Sequence, residues 1–561
     1  AGTRGHRDPV VQVVERRIGL LFAVFLLAIG LGAGRAAWLT VVRADDMRAA
    51  AAVQQRSTVA VPARRGTISD TNGSELAVSQ PATTIAATPY LIDDPVKRAA
   101  QLAPLLRRPE DEVLRALSRR DTGFVYLGRR LPARRGEKIR ELGIEGLEFI
   151  PEYKREYPRE WMASQLLGSI GADGQGLGGL EYSLDGVLRG EDGKRSMVKD
   201  ALGEAIKLRE NRKTIPGAEV SLTLDAAIQD RAEAVLAEVG ELWQPKGATA
   251  LVMDPGTGAI LALANWPRVN ANALTEAPDY ARQNRAVGST YEPGSTYKAF
   301  TVAGALEDGK IRPDTQIDLP PTLQIYDREI RESHPRPAAR WPVSEILAKS
   351  SNVGAVKIGL MQGADAFDGW LRRFGFGRPT GVDLPGEEAG IVIDRDQYSG
   401  ASMGNLPIGQ GMAVTPMQMA AGYAAIANGG ILRAPHIVKS IDGRPKPARK
   451  GTRILSRATA SSVSRMLEGV LDPDGTASMA AIEGYKLAGK TGTAQKPENG
   501  GYSDSKYVAS FVGFAPARNP KLLVTVMVDE PKGDIYGGVV AAPAFRKITS
   551  FALNYLRIPP Q

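Results

Sequence analysis

Tyr291-Glu292-Pro293-Gly294-Ser295-Thr296-Tyr297-Lys298-Ala299-Phe300 begins as a turn and runs on into an apolar segment. Pro-Gly-Ser is a helix-entry pattern, so Ser295 is expected in a first helical turn. Ser-x-x-Lys on a helix puts a hydroxyl and an amine on one face, within hydrogen-bond reach. A serine nucleophile needs a base, and lysine can serve if it is neutral. Neutrality requires desolvation or a neighbouring cation. The free N–H groups and positive dipole end of a helix N-terminus also favour developing anionic charge. The four-residue pattern is common by itself, and Ser196–Lys199 and Ser503–Lys506 repeat it here.

What surrounds Ser295 sets it apart. Ser350-Ser351-Asn352 follows 55 residues downstream and holds the only Ser-x-Asn of the chain. Lys490-Thr491-Gly492-Thr493 comes 140 residues later and holds the only Lys-Thr-Gly. The rest of the composition agrees with histidine-free chemistry. The 561 residues contain no cysteine, which excludes disulfides, thiol nucleophiles and thiolate metal sites. Three histidines exist, His6, His334 and His436, and none has the company that a triad or metal centre needs. Neither metal nor cofactor is expected. A net charge of +9 reads as an Arg-rich solvated surface that tolerates anionic partners, and no basic-aromatic block points to nucleic acid.

Ile18–Gly34 is a run of seventeen uncharged, mostly apolar residues, extended by AAWLTVV after Arg35. That is long enough to span a bilayer and longer than the core of a cleaved signal peptide. The basic lead (Arg4, Arg7, Arg16, Arg17) orients the N-terminus to the cytoplasm and everything after the anchor outside it. Gly30, Gly32 and Gly34 make a GxxxG spacing only as Gly30/Gly34. Beyond the anchor, Gly66–Gly73 ends in Asn-Gly and predicts a hairpin. Gly171–Gly186 reads as loops with a connecting helix at a domain border, and no Gly-rich stretch has a phosphate-loop ending. Thr249–Asn265 reads as strand–turn–strand, and an Ala-rich helix is expected near Gln418–Asn428. Strands are expected over Tyr507–Ala517 and Leu522–Glu530, with a final helix over Ala542–Tyr555. A sheet completed by sequence-distant strands, with helices packed on it, follows.

Ser-x-x-Lys, Ser-x-Asn and Lys-Thr-Gly in this order resemble the penicillin-binding proteins and serine β-lactamases. Gly66–Gly73 is similar to the Arg-Gly-x-Ile-x-Asp-Arg-Asn-Gly signature of the class B pedestal, with Thr71 where Arg is usual, and Gly179-Leu180-Glu181 looks like that family's Gly-Leu-Glu segment. The resemblance implies an α+β fold. A penicillin-binding transpeptidase domain (216–561), an antiparallel sheet with helices on both faces, would stand on a mixed α/β pedestal (43–215). A transmembrane anchor (18–42) and a cytoplasmic tail (1–17) would precede it. A class A enzyme would carry a glycosyltransferase signature after the anchor, and none is seen. A β-lactamase would be about half as long with a deacylating glutamate, and the candidates Glu387 and Glu388 lie in a Pro-Gly-Glu-Glu turn. Glu292 before Pro-Gly-Ser resembles division and sporulation members.

By that resemblance Ser295 attacks the penultimate D-alanine carbonyl of a stem pentapeptide and Lys298 takes its proton. Ser350 relays a proton to the leaving amine, and Asn352 holds Lys298 and the donor peptide. Lys490, Thr491 and Thr493 receive the terminal carboxylate, Gly492 allows close approach to the substrate backbone, and the N–H groups of Ser295 and Thr493 form the oxyanion hole. Expected partners are peptidoglycan stem peptides, β-lactams, a SEDS-type lipid II glycosyltransferase and small division proteins at the inner membrane. An elongation or sporulation role, a D-Ala-D-Ala carboxypeptidase and a non-enzymatic penicillin-binding scaffold are alternatives. Read singly, each site residue has a plain structural reading as helix cap, solvated lysine or polar turn.

Overall fold

The computed structural model describes residues 9–43, 56–199, 205–447, 449–498 and 500–560. The expected tail up to Asp8, with Arg4, His6 and Arg7, lies outside the described residues, as does the expected start of the pedestal at 44–55. The chain divides into two compact units.

The smaller unit takes residues 1–63 and 191–215. Its helix Pro9–Ala37 continues as a π-helical turn, Trp38–Val42. Residues Arg16–Val42 are apolar enough to cross a membrane, and none of the helix surface is buried against protein. Leu20, Leu21, Phe22, Phe25 and Leu27 stand exposed, as side chains meant for lipid do. The same unit contains a three-stranded antiparallel sheet of Arg56–Val61, Gly193–Lys199 and Ala205–Arg212. Ser196–Lys199 therefore falls on a strand, where the helical spacing argument does not apply.

The larger unit takes residues 64–190 and 216–561. Its first sheet is mixed: Ile68–Ser69 pairs antiparallel with Glu75–Ala87 and parallel with Val220–Leu222. The expected hairpin is present, with Gly73 at φ 86° in its turn. Its polar residues do more than shape the turn. Asp70 accepts from the Asn72 and Ser74 amides (2.9 and 2.7 Å) and from Ala226 N (3.1 Å) at the start of helix Ala226–Trp243. Asn72 reaches Asp225, the N-cap of that helix, at 2.9 Å. Thr71 accepts at its carbonyl and hydroxyl from Lys439 (3.0 and 2.9 Å), so a lysine from a distant strand stands beside the position where the signature has an arginine.

The Gly171–Gly186 stretch carries loops and a short helix, Gly179–Ser183, yet Glu181 on that helix is 0% exposed. Arg65 Nε and Arg155 Nε donate to its two oxygens, each at 2.6 Å, and Arg65 also pairs with Asp185 at 2.6 Å. Arg155 donates in addition to the Gly66 carbonyl (2.7 Å). This buried cluster joins the hairpin strand, the long strand Leu147–Glu156 and the Gly-Leu-Glu helix.

The second sheet has five antiparallel strands in the spatial order Ile260–Trp266, Gly247–Met253, Leu522–Asp529, Gly501–Ala515, Ala488–Glu498. The strand–turn–strand at its start, the two late strands and the last helix, Ala542–Tyr555, form where the pattern places them. Asp254 closes the first turn by accepting from Gly256 N (2.8 Å) and Thr257 Oγ1 (2.7 Å). The Ala-rich helix runs Pro416–Ala427, entered through a Thr415/Gln418 capping box, and all twelve residues are buried. Strand alternation sends neighbouring residues to opposite faces. Ser510 lies under the Pro293–Thr296 turn, whereas Phe511 stacks against Phe545 of the last helix at 4.6 Å. One face thus carries the Pro293–Thr296 turn and the other the C-terminal helix. The Lys-Thr-Gly strand, Ala488–Glu498, is the sheet edge.

Candidate active site

Ser295 sits in a 3-10 turn, Gly294–Tyr297, that leads directly into helix Lys298–Glu307. Gly294 takes φ 53° and donates to Gly409 O at 3.0 Å. A Cβ at Gly409 would lie 2.2 Å from Gly294 O, so only glycine lets that loop back the turn. Tyr423 OH donates to Thr296 O (2.6 Å) from below, and the rings of Tyr297, Phe300 and Phe376 form a buried cluster behind the helix. Ser295 is partly exposed while the residues on both sides of it are buried. The turn is a rigid mount that presents one hydroxyl.

Ser503–Lys506 lies on strand Gly501–Ala515, with Lys506 paired to Glu498. Among the described residues, only Ser295–Lys298 has the helical setting its chemistry requires.

Lys298 is 1% exposed. Its ammonium nitrogen donates to Ser350 O (2.6 Å), Ser350 Oγ (3.2 Å) and Asn352 Oδ1 (2.6 Å). The Ser-x-Asn segment is thus brought onto the lysine, as its order in the sequence suggests. No carboxylate forms an ion pair with Lys298 among the described residues. Burial pulls its pKa down to about 7, with the charge of Glu332 opposing that fall. Lys490 is 0% exposed, and its pKa is held well below the ordinary lysine value, first by burial and then by repulsion from Lys298. Both lysines are buried, and the charge of Lys298 disfavours that of Lys490.

The rest of the Lys-Thr-Gly strand faces the same cleft. Thr491 Oγ1 lies 2.9 Å from Thr476 Oγ1, and Thr493 Oγ1 accepts from Gly537 N at 3.1 Å. Thr493 O lies 3.1 Å from where a Cβ on Gly294 would stand, so strand and nucleophile turn touch. A side chain on Gly492 would come within 2.4 Å of Ser510 Oγ, 2.9 Å of Thr296 Cγ2 and 3.0 Å of Pro293 O. The space that Gly492 leaves open is therefore bounded by Ser510 and the Pro293–Thr296 turn. The cleft, about 810 Å³, is lined by Ser295, Ser350, Asn352, Thr491 and Thr493 among others.

Sequence reasoning missed several residues here. Glu332 accepts from Ser351 Oγ and Asn352 N, both at 2.6 Å, and no spacing rule links it to them. Arg328 on strand Arg328–Arg331 and Thr476 and Tyr536 on loops line the cleft from places far apart in sequence, and the His334 ring lies tilted 5.5 Å from that of Tyr536. Glu292 is a tether: it accepts from Gly411 N (3.0 Å) and Tyr502 OH (3.1 Å), and burial raises its pKa. Glu387 is occupied by the Thr380 and Gly381 amides at 2.8 and 3.0 Å.

Two family profiles match the chain: the penicillin binding protein transpeptidase domain over residues 248–550 and the penicillin-binding protein dimerisation domain over residues 60–222. The chain belongs to the class B penicillin-binding proteins. It is 36% identical to the probable peptidoglycan D,D-transpeptidase PenA of Neisseria gonorrhoeae, over 90% of this chain and 86% of that one. It is 33% identical to the peptidoglycan D,D-transpeptidase FtsI of Escherichia coli K12, over 99% and 94%. Among solved structures, penicillin-binding protein 3 of Mycobacterium tuberculosis complexed with aztreonam superposes with a TM-score of 0.72 at 30% identity, over 90% of this chain and 98% of that one. In this penicillin-binding protein all three motifs fall within the matched transpeptidase domain, and Ser295, Ser350, Asn352, Thr491 and Thr493 line the cleft just described.

Proposed function

We propose that the chain is a peptidoglycan D,D-transpeptidase of septal wall synthesis, working through an acyl-enzyme on Ser295. The observation that carries the reading is Lys298: buried, without a carboxylate partner among the described residues, and held by Ser350 and Asn352 three residues from a partly exposed serine. A lysine whose pKa is drawn to about 7 is a base at working pH. Ser295 Oγ gives its proton to Lys298 and bonds to the penultimate D-alanine carbonyl. The C–N bond then breaks, and the leaving D-alanine amine collects a proton through Ser350. The N–H groups of Ser295 and Thr493 hold the oxyanion, each donor contributing about 3–4 kcal/mol. The amine of a neighbouring stem peptide takes the acyl group and restores the serine.

Lys490, Thr491 and Thr493 receive the substrate carboxylate. An anion arriving beside Lys490 raises that lysine's proton affinity. The proton shared by the buried pair then rests on Lys490 and leaves Lys298 free to act as base. Substrate binding and base activation are one event in this arrangement.

The aztreonam-bound relative and the names of the two curated relatives support the same reading. A β-lactam would acylate Ser295 and remain there, since neither Glu387 nor Glu388 lines the cleft to deliver water. The apolar helix Arg16–Val42 would anchor the chain in the inner membrane as a single pass, with the catalytic domain extracytoplasmic. Its partners there would be a SEDS-type lipid II glycosyltransferase and the small division proteins.

Labelling with a fluorescent penicillin tests the reading. Wild type should take label slowly lost to water, and Ser295→Ala should take none. The labelling rate should rise with pH through about 7, because the neutral form of Lys298 is the competent one. Absence of label on folded wild type would sink the proposal.

A further inference from the structure

Glu332 lies outside all three motifs, yet its side chain is 6% exposed and both of its oxygens accept from the Ser-Ser-Asn turn. One oxygen accepts from Ser351 Oγ (2.6 Å) and from Arg336 (2.6 Å). The other accepts from the backbone N–H of Asn352 (2.6 Å). Ser351 is the N-cap and Asn352 the first residue of helix Asn352–Gln362, so the carboxylate also sits at the positive end of an eleven-residue helix. Asn352 Nδ2 is held by the carbonyl of Arg331, the residue just before Glu332 (2.7 Å). The Arg331–Glu332 pair thus clamps Asn352 by backbone and side chain together.

The clamp has a strained residue to hold. Ser350 sits at φ 60°, in the left-handed region that a non-glycine residue adopts at a cost. In that conformation both its carbonyl and its hydroxyl point to Lys298. Without the carboxylate, the Ser351 hydroxyl and the Asn352 amide lose their acceptor and Arg336 loses its counter-ion, which leaves Ser350 held by Lys298, by the Asn352 Nδ2 bond to Arg331 O and by its backbone bonds to the preceding helix.

Resting on the acyl-transfer reading above, we propose that Glu332 is the positioning residue of this site: it keeps the Ser350–Asn352 turn closed on Lys298, and its charge sets the pH range over which Ser295 can be acylated. The charged groups around the lysine are few. Glu332 acts on it from the loop that packs on the turn, and Lys490 on the edge strand is itself disfavoured as a cation by Lys298. Arg336 faces Glu332, Arg331 turns to Glu329, and Lys349 is directed to the Asp474 carbonyl. Glu332 is thus the anion that moderates the desolvation of Lys298, at a range longer than an ion pair.

The signs are fixed by charge. Removing the carboxylate charge makes protonated Lys298 less favourable, so the acid limb of acylation moves to lower pH. Removing Arg336 leaves the carboxylate less neutralised and moves the limb to higher pH. The experiment measures fluorescent-penicillin acylation rates against pH on full-length protein in detergent, with thermal midpoints recorded alongside. Glu332→Gln should lower the plateau rate at least tenfold and shift the limb down by about one unit. Glu332→Asp should keep the limb in place and recover most of the rate. Ser351→Ala should lower the plateau without moving the limb. Arg336→Met should shift it upward, and this arm stands even if Glu332→Gln does not fold. A Glu332→Gln rate within twofold of wild type, or limbs that stay fixed in both charge variants, would overturn the inference. A wild type that takes no label overturns the acyl-transfer reading instead.

Discussion

Two of the places where the larger unit buries charge treat it in opposite ways. Around Glu181, one carboxylate with no exposure is held by two arginines at 2.6 Å each, and Arg65 finds a second partner in Asp185. Around Lys298, two buried lysines face neutral oxygens, and neither forms an ion pair among the described residues. In the first place every charge has its counter-ion, although Arg155 Nη2 is left without a hydrogen-bond partner. In the second the fold withholds the counter-ion, and the unmet electrostatic demand appears as a depressed pKa and a readiness to accept a proton. Completed ion clusters hold a fold together, and incomplete ones do chemistry at the expense of stability.

Substitutions can break this contrast from either side. Lys298→Met should cut penicillin acylation by about 10³–10⁴-fold while leaving the thermal midpoint unchanged or higher, because a buried uncompensated amine is replaced by an apolar chain of similar length. The same variant should flatten part of the pH dependence of stability. A lysine with a depressed folded pKa destabilises the fold below about 7, and that cost fades as pH rises from there toward the unfolded value. Calorimetry from pH 6 to 9 on both proteins reads this directly. Next in size, Glu181→Gln should cost about 3–5 kcal/mol of stability, seen as a lower midpoint in denaturant, because it strands two buried guanidinium groups. Whatever remains folded should acylate at the normal rate. A Glu181→Gln protein that is stable but slow to acylate would mean the two clusters are coupled. Smallest is Gly492→Ala, expected to cost about 1–3 kcal/mol as its methyl meets Ser510 and the Pro293–Thr296 turn, with a tenfold or greater slowing of acylation as the turn is pushed away. A slowing without any loss of stability would place the clash on substrate, the role that the edge strand suggests.

Much of this was legible in the sequence where the information is local or ordered. The order Ser-x-x-Lys, Ser-x-Asn, Lys-Thr-Gly leads to the cleft, and the Asn-Gly turn and the Ala542–Tyr555 helix follow from short-range rules. The remainder depends on contacts that no periodicity encodes. Glu332 matters because a loop folds back twenty residues to meet Asn352. The crowding at Gly492 shows only once Thr296 is seen beneath it, and Lys439 reaches Thr71 across 368 positions. Glu292, read as a mark of kinship, turns out to be a tether to Gly411.

The close backing of the nucleophile turn has a consequence for how this enzyme can change over generations. Gly409 beneath the turn and Gly492 beside it each leave no room for even a methyl group. A change that remodels the serine's own mount therefore carries a folding cost of about 1–3 kcal/mol besides any effect on the reaction. Arg328, partly exposed, and Tyr536, exposed, line the same cleft where substitution carries less of that cost. An inhibitor that makes its contacts against the turn and the edge strand would meet the part of the cleft where change is most constrained.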